Sequence, residues 1–343
     1  MRCVSNLLMS TLACGLLVVH SSVLLANDSM ATVGAGGLQF QKTDELRMMS
    51  EELYLSPKEV RVSYIFTNLT NHDVSGTVAF PLPEVDVSSM SEAPHEFHKS
   101  YLEGDIFDFH IEVGGQLIKP QADIHAFVKG SDGAEKDVTD LLKKYHVPVI
   151  DPEEAYSALD ANAIKALIAA DILMDDDEHH PNWSVRTTFH WQQVFPAGRT
   201  ILISHSYKPV VGSRQISNEI SVDDPRDYLA PWCPDKVFAG SIRGLPADDN
   251  RLLQDAELEY VLKTGANWAG PIGQFRLEID KAGADLVSLC PIPGLKLQKR
   301  GQSFVAEASP YVPTSDIKIL FVYRGCDKAP CEVGAIPPGL PRH

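Results

Sequence analysis

The sequence predicts a mainly β protein, an antiparallel β-sandwich with a helical insertion. Many short segments alternate apolar and polar residues, which is the period of a half-buried strand. Strands and helices do not alternate along the chain, as they would in a parallel α/β sheet. Helical spacing is confined mostly to residues 135–174. We therefore expect packed antiparallel sheets, with the helices inserted between two β segments.

The first β segment is predicted to span residues 27–134. Every second residue is apolar at 60–66, and the alternation resumes at 74–80 after the turn-like "NLTNHD". These residues predict an antiparallel hairpin over 59–80. A second hairpin is predicted from Phe107 onwards, with a turn at Gly114-Gly115 and a return strand in "QLIKP".

The helical insertion and an acidic loop are predicted to occupy residues 135–182. Leu141, Leu142 and Tyr145 have helical spacing after a capping Asp137 or Thr139. A clearer helix is predicted in 151–174, where Asp151 can cap and Pro152 suits the first helical position.

Strands return in a second β segment, which is predicted to span 183–325 and to complete the sandwich. Alternation over 183–195 is followed by the turn "PAGR" and by a strand over 201–207 that runs back. Residues 317–323 alternate in the same way. Residues 326–343 are predicted to be a C-terminal tail without a periodic pattern.

Residues 1–26 have the layout of a secretory signal peptide. Arg2 is followed by an apolar run from about Leu7 to Leu25, and Ala26 precedes the polar Asn27. We predict cleavage near Ala26, a periplasmic or secreted protein, and no membrane span after cleavage. One alternative is an uncleaved membrane anchor. Another is a lipoprotein, because the residues before Cys14 loosely match a lipoprotein cleavage site.

Acidic charge limits the partners that the protein can have. The formal net charge of −16 becomes −17 once Arg2 is removed with the signal segment. Nucleic acids and anionic membranes both favour a basic patch, so neither is predicted as a partner.

Four cysteines remain after the signal segment: Cys233, Cys290, Cys326 and Cys331. An even number in an exported chain predicts disulfides, and three pairings are open. We favour Cys326–Cys331 as a local clip of the tail, which leaves Cys233–Cys290. A zinc site is the rival interpretation, but the cysteines lack a paired C-x-x-C spacing.

The glycine-rich stretch "ATVGAGGLQF" at 31–40 is not predicted to bind a phosphate group. A dinucleotide loop needs a buried strand before the glycines and a helix after them. The sequence leaves no room for a proper strand before Gly34, and strand-like residues follow Gly37. We expect the glycines to let the N-terminal segment pass tightly against the sandwich.

No motif in the sequence identifies a reaction, a metal or a cofactor. "HEFH" at His95–His98 lacks the spacing of the helical zinc motif, and the acidic Asp175–His180 lacks the alternation and glycine of a calcium loop. Whether Asp175–His180 binds a metal stays open. The candidates for ligand contacts are Trp183, Trp191, Trp232 and Trp268, although such tryptophans more often fill a sandwich core.

Several stretches resemble a bacterial family of exported proteins, domain-of-unknown-function family 4424. They are "NDSMATVGAGGLQF", "MMSEELYLSPKEVRVSYIFTNLTNHDVSGTVAFPLP", "DFHIEVGGQLIKP", "WQQVFPAGRTILISHSYKPVVG", "WCPD" and "DLVSLC". The resemblance covers nearly all of the chain after residue 26 and implies a periplasmic location but no activity. "FPLP" and the F-x-I-x-V-G-G-x-x-I hairpin are similar in architecture to the VIT domain.

Two classes of function follow from the sequence. We favour a non-enzymatic envelope module that binds a protein, a peptide or a glycan, because catalytic motifs are absent. The alternative is an exported hydrolase that uses Asp, Glu and His side chains. A pocket that unites two carboxylates and a histidine would favour the hydrolase, whereas a flat exposed apolar patch or an open sheet edge would favour binding.

Overall fold

A computed structural model describes residues 27–34, 37–90, 107–130, 132–150, 155, 158–211, 214–216, 228–245 and 253–324. The strands, in chain order, are β1 (Ser29–Gly34), β2 (Gly37–Gln41), β3 (Leu46–Ser56), β4 (Glu59–Asn68), β5 (Val74–Pro81), β6 (Val85–Asp86), β7 (His110–Val113), β8 (Gln116–Ile118), β9 (Gln121–Lys129), β10 (Glu135–Asp137), β11 (Ser184–Phe195), β12 (Thr200–Tyr207), β13 (Gln215–Ile216), β14 (Leu253–Tyr260), β15 (Gln274–Asp280), β16 (Leu286–Leu289), β17 (Gln298–Arg300), β18 (Ser303–Ala308) and β19 (Ile317–Arg324). The helices are α1 (Val87–Met90), α2 (Thr139–Lys144), α3 (Ala161–Ile168) and α4 (Lys236–Arg243), and 3-10 turns lie at Ala230–Trp232 and Lys263–Asn267.

Within these ranges the strands form sheets of seven, eight and four strands. The first sheet has the order β10-β9-β11-β5-β1-β2, with β6 also paired to β11. The second sheet has the order β17-β18-β15-β3-β4-β12-β7-β8, and the third has the order β13-β14-β19-β16. The pairing is antiparallel except between β3 and β15, which run parallel. The prediction of a mainly β, antiparallel sandwich is confirmed.

Apolar side chains of the first and second sheets meet in one large core. Phe66 on β4 contacts Phe195 on β11, with ring centroids 6.0 Å apart. Phe80 on β5 contacts Tyr207 on β12 at 5.9 Å. All four side chains are buried. In each of these strands, the apolar residues of the alternating pattern therefore lie on the face that packs against the opposite sheet.

The predicted hairpin over 59–80 is wrong, because β4 belongs to the second sheet and β5 to the first. The strands over 183–195 and 201–207 are likewise divided between the two sheets, as β11 and β12. A strand with one buried face has the same period whether its partner is the next strand or lies elsewhere, so alternation alone does not separate a hairpin from a corner between sheets.

The two corners lie together at one end of the sandwich. The Asn68 side-chain amide donates to the carbonyl oxygens of His72 and Phe195, each at 2.8 Å. The backbone N–H of Gly198 donates to the Thr70 carbonyl at 3.0 Å. These bonds satisfy backbone groups that the strand ladders leave unpaired as the chain crosses from one sheet to the other.

Glycines also lie where two other pairs of strands meet. The predicted hairpin after Phe107 is confirmed as β7 and β8, and Gly114 and Gly115 have φ values of 58° and 79°. Such positive values suit glycine in a two-residue hairpin turn. Gly34 pairs with Gly37 in the antiparallel β1–β2 ladder. A strand thus does precede the glycines, contrary to the prediction, but a second strand and not a helix follows them.

Helices α2 and α3 lie in the block predicted to be helical. The Asp160 side chain caps α3 by accepting from the backbone of Asn162 and Ala163. Asp137 accepts from Thr139 just before α2, although the capping position itself is Val138. The predicted cap at Asp151–Pro152 lies outside the described residues. None of the helices in the described ranges has the length and apolarity that a membrane crossing requires.

One face of the third sheet packs in the large core, and helix α4 covers the other face. The sequence pattern does not predict α4. Ile319 and Phe321 on β19 lie in the large core, whereas Leu320 and Val322 pack in a second core with Phe238 and other residues of α4. Burial on both faces explains why "ILFV" is a continuous apolar run.

A disulfide joins Cys233, at the end of the 3-10 turn Ala230–Trp232, to Cys290, directly after β16. Their Cα atoms are 5.0 Å apart. This pairing is the one favoured from the sequence. Cys326 and Cys331 lie outside the described residues, so their bridge stays a prediction.

Candidate functional site

A cleft of about 500 Å³ opens on the outer face of the first sheet, at the end where β6, β9, β10 and β11 meet. Its lining is mostly polar and contains both acidic and basic side chains. The lining residues are Glu84, Asp86, Ser88, Phe127, Lys129, Glu135, Asn182, Trp183, Ser184 and Arg186.

Strand alternation and register bring these residues together. On β11, Val185 and Thr187 are buried, so Ser184 and Arg186 point outwards. In the antiparallel ladders Ser184 lies opposite Phe127 of β9, and Lys129 lies opposite Glu135 of β10. The short strand β6 places Asp86, and Glu84 directly before the strand, beside the same end of β11.

Arg186 is held between two carboxylates in this cleft. Its Nε donates to Glu84 at 2.7 Å, and its two terminal nitrogens donate to Glu135 at 2.9 and 2.6 Å. The guanidinium also lies over the Phe127 ring, 4.4 Å from the centroid, and Ser184 donates to Glu84. A bidentate pair and a stacked ring fix the orientation of an arginine, so the cleft is preorganised.

Electrostatics make the cleft weakly acidic. Burial by itself would lower the pKa of Arg186, but the hydrogen bonds and charges of Glu135 and Glu84 outweigh it and raise the pKa. Arg186 therefore stays positively charged. The lining has three carboxylates against two cations, Lys129 and Arg186. The cleft therefore favours ligands that donate hydrogen bonds over anionic ligands.

His125 lies next to the cleft on the same outer face, opposite Arg186 in the β9–β11 ladder. Its Nδ1 is 2.7 Å from Asp137 and its Nε2 is 3.1 Å from Asp123. Burial would lower the pKa of His125, but the hydrogen bonds and charges of Asp137 and Asp123 raise it overall. With both nitrogens engaged, the imidazole has no nitrogen left to accept a substrate proton.

We expect the stabilising effect of His125 to be greatest in acid. A raised pKa in the folded protein means that this contribution is complete below the ordinary pKa and is lost as the pH rises through the folded value. Because His125 and its two carboxylate partners are partly exposed, this contribution to stability should amount to less than about 1 kcal/mol. Urea unfolding of wild type and Asp137→Asn at about pH 5 and about pH 8 measures it. An equal loss of stability at both pH values would contradict this assignment.

A second group of polar residues is enclosed in the large core. Asn27, Asp28, Glu51 and His205 are all buried, the last three with fully enclosed side chains. His205 Nε2 is 3.0 Å from one oxygen of Asp28, and Asn27 Nδ2 is 3.2 and 3.1 Å from the two oxygens of Glu51. We call these four residues the buried polar cluster.

Aromatic rings surround the histidine of the buried polar cluster. The centroids of Phe80, Phe109, Trp191 and Tyr64 lie between 5.0 and 5.6 Å from that of His205. A substrate would have to displace this packing to reach the imidazole. The cluster unites two carboxylates and a histidine, the combination that would favour a hydrolase, but it is enclosed in the core and does not line the cleft.

The four tryptophans named from the sequence are 2–7% exposed. Trp183 lines the cleft and donates through Nε1 to the Val149 carbonyl at 2.8 Å. Trp268 donates to the Asp28 carbonyl at 2.8 Å. Trp183, Trp191 and Trp268 belong to the large core, and Trp232 belongs to the second core. The structure therefore does not gather them into one binding surface.

The acidic loop Asp175–His180 forms contacts within itself. His180 lies 2.9 Å from Asp176 and 3.1 Å from Glu178. The hydrogen bond from His180 lowers the pKa of Asp176. Across the described part of the chain, no group of three or more His, Cys, Asp or Glu side chains is arranged to hold a metal ion. His95 and His98 lie outside that part.

Sequence reasoning misses the cleft, because Glu84 and Glu135 are separated from Arg186 by 102 and 51 residues. The one local signal is an arginine on the outward face of a strand whose other face is mainly apolar. It identifies an exposed position but not its partners.

Two of the solved structures that resemble this chain share little sequence identity with it. A candidate nutrient-binding protein from Legionella pneumophila is 14% identical, with 87% of this chain and 70% of that chain aligned at a TM-score of 0.44. An M1 zinc metallopeptidase from Deinococcus radiodurans, bound to a Tyr-Ser-Ala substrate, is 8% identical over 82% of this chain and 44% of that chain, at 0.25. At these TM-scores neither likeness bears on the function of this chain.

No curated protein matches the chain. A family model does match it, and the match covers residues 26–320, from just before the buried polar cluster to the middle of β19. That range includes the first and second sheets, both sides of the cleft and the disulfide. The chain belongs to the family described as domain of unknown function DUF4424.

Proposed function

We propose that this protein is an exported, non-enzymatic module of the cell envelope that binds a polar ligand in the cleft on the first sheet. The observation that carries the proposal is the position of Arg186, which is fixed between Glu84 and Glu135 before any ligand binds. Preorganised polar groups in a cleft lose little conformational entropy when a ligand binds.

The chemistry of the lining supports a ligand rich in hydrogen-bond donors. Carboxylate oxygens are acceptors with several lone pairs, and Ser184 and Asn182 add further polar groups. Hydroxyl groups of a saccharide and ammonium groups of a peptide share the required donor character. A nucleic acid or an anionic lipid would instead meet an excess of negative charge.

Export is supported by the signal-like residues 1–26 and by the Cys233–Cys290 disulfide, since such bonds persist in oxidising compartments. His125, next to the cleft, and His205, in the core, do not meet the needs of a hydrolase. Both nitrogens of His125 are engaged, and His205 is enclosed. These features favour binding over catalysis.

We expect Glu84→Gln to weaken ligand binding by about 10- to 100-fold, because hydrogen bonds to charged groups contribute about 1.5–3 kcal/mol. The substitution also removes one partner of Arg186. Isothermal titration with a neutral oligosaccharide and with a basic tripeptide measures the effect and separates the two ligand classes.

Asp44→Asn is the matched control, since Asp44 is exposed in the loop between β2 and β3 and does not line the cleft. It also removes one negative charge, so it accounts for a change in overall charge. Equal affinity in wild type and Glu84→Gln, or no binding of either ligand class to wild type, would refute the proposed site.

A further inference from the structure

Two carboxylates of the buried polar cluster lack a strong cationic partner. Glu51 accepts only from the neutral amide of Asn27 among the bonds found in the described residues. One oxygen of Asp28 is bonded to His205, but its other oxygen, Oδ2, is buried with no hydrogen-bond partner. No lysine or arginine in those residues forms an ion pair with either carboxylate.

Such an arrangement is costly for a folded core. A buried carboxylate is normally paired with a cation, because desolvation strongly disfavours the charged form. Burial raises the pKa of Glu51 to about 8, and the neighbouring Asp28 adds to that rise. The Asn27 amide lowers the pKa only in part. The position is therefore one in which an added positive charge would be strongly stabilised.

The backbone nitrogen of Asn27 is only a few covalent bonds from the side-chain amide that contacts Glu51. In the sequence this nitrogen belongs to the Ala26–Asn27 bond, at which the signal-like segment ends. Hydrolysis of that bond adds the elements of water, leaving a carboxylate on Ala26 and an amine on Asn27 that takes up a proton. An α-ammonium group carries three N–H donors and one positive charge.

We propose that a signal peptidase cleaves between Ala26 and Asn27, and that the new α-ammonium group of Asn27 is buried beside Glu51 and Asp28 as their missing counter-charge. Processing of the chain and completion of its core are then one event. The inference rests on the export part of the proposed function and is independent of the cleft.

Close packing at the N-terminus supports this assignment. A Cβ atom on Gly265 would lie 2.8 Å from the Asn27 side-chain nitrogen, so the 3-10 turn Lys263–Asn267 fits closely around that amide. Trp268 and Asn267 also hold Asp28 and Ser29 by hydrogen bonds. These contacts enclose Asn27, so an α-ammonium group formed there would lie inside the core.

Other titratable groups near the two carboxylates are neutral tyrosines and one imidazole. They are His205, Tyr64, Tyr260 and Tyr311, and Tyr207 lies beside Tyr260. Burial raises the pKa of the tyrosines, so they supply no charge in neutral solution. The α-amine of Asn27 is a stronger base than an imidazole, so it would be the group that brings a positive charge to this part of the core.

The test compares the processed wild-type protein, purified from the envelope, with a variant that has one glycine inserted between Ala26 and Asn27. The variant keeps the α-amine but moves it by one residue. We expect N-terminal sequencing of wild type to begin at Asn27, and acetylation of its α-amine to be on the order of a hundredfold slower in the folded than in the urea-unfolded protein. The glycine variant should lose that protection or unfold at a lower urea concentration.

Glu51→Gln in both backgrounds supplies the control, because it should abolish the stability difference between the two N-termini. If Glu51→Gln prevents folding, the inference is still tested by the acetylation rates of wild type and of the glycine variant, which both keep Glu51. Equal acetylation rates in folded and unfolded wild type would overturn the inference. A mature N-terminus at another residue would overturn it while leaving export intact, whereas retention of Met1 would overturn both.

Discussion

We expect His205→Ala to lower the free energy of unfolding by about 3–5 kcal/mol, the usual cost of breaking a buried pair by removing one partner. The imidazole is the hydrogen-bond partner of Asp28, and both side chains are fully enclosed. Without it, neither oxygen of the Asp28 carboxyl group would have a partner among the described residues. Urea unfolding measures the change.

Packing adds to the electrostatic cost of His205→Ala. The imidazole fills space among Phe80, Phe109, Trp191 and Tyr64, so truncation leaves a cavity lined by rings that cannot easily collapse. Burial already raises the pKa of Asp28, and His205 only partly offsets that rise. Removing the imidazole should raise this pKa further, so the variant should bind a proton on Asp28 over a wider pH range.

His190→Ala is the matched control for this prediction. His190 lies on β11, on the outer face of the first sheet, where it is only partly buried. Surface substitutions usually change stability by no more than about 0.5 kcal/mol. Similar urea midpoints for His205→Ala and wild type would contradict the role assigned to the Asp28–His205 pair.

Much of the secondary structure could be predicted because alternation is a local property. The hairpin of β7 and β8 is recognised from its own residues, since Gly114 and Gly115 specify both its turn and its register. The corners at Asn68 and Gly198 are different. They depend on which sheet receives the next strand, and that choice is made by packing across the whole sandwich.

The candidate site could not be predicted for a related reason. Arg186 meets Glu84 and Glu135 only because β11 pairs with both β6 and β9, and β9 pairs with β10. The buried polar cluster shows the same limit. Asn27 and Glu51 look like ordinary surface residues, and only the fold encloses them. Contacts between distant parts of a chain leave no local pattern in its sequence.

Removal of the Cys233–Cys290 disulfide should also be strongly destabilising. The bridge closes a loop of 57 residues, for which the chain-entropy model gives about 4 kcal/mol. It connects the turn that carries Trp232 to the end of β16, and Ser288 donates to the Trp232 carbonyl in the same region at 2.9 Å. We therefore expect the second core to loosen first when the bridge is absent.

Three unfolding experiments test this expectation: wild type, wild type with reductant, and the Cys233→Ser/Cys290→Ser double variant. The double variant should lose about 2–5 kcal/mol, and reductant should have little further effect on it beyond that of any second bridge. Ligand binding in the cleft should change little, because the cleft residues lie on the first sheet, whereas the bridge is tied to the third.

Peptide mapping without reductant should recover Cys233 with Cys290 and, as the sequence predicts, Cys326 with Cys331. Recovery of Cys233 with Cys326, or of free thiols in the exported protein, would show that the pairing is wrong.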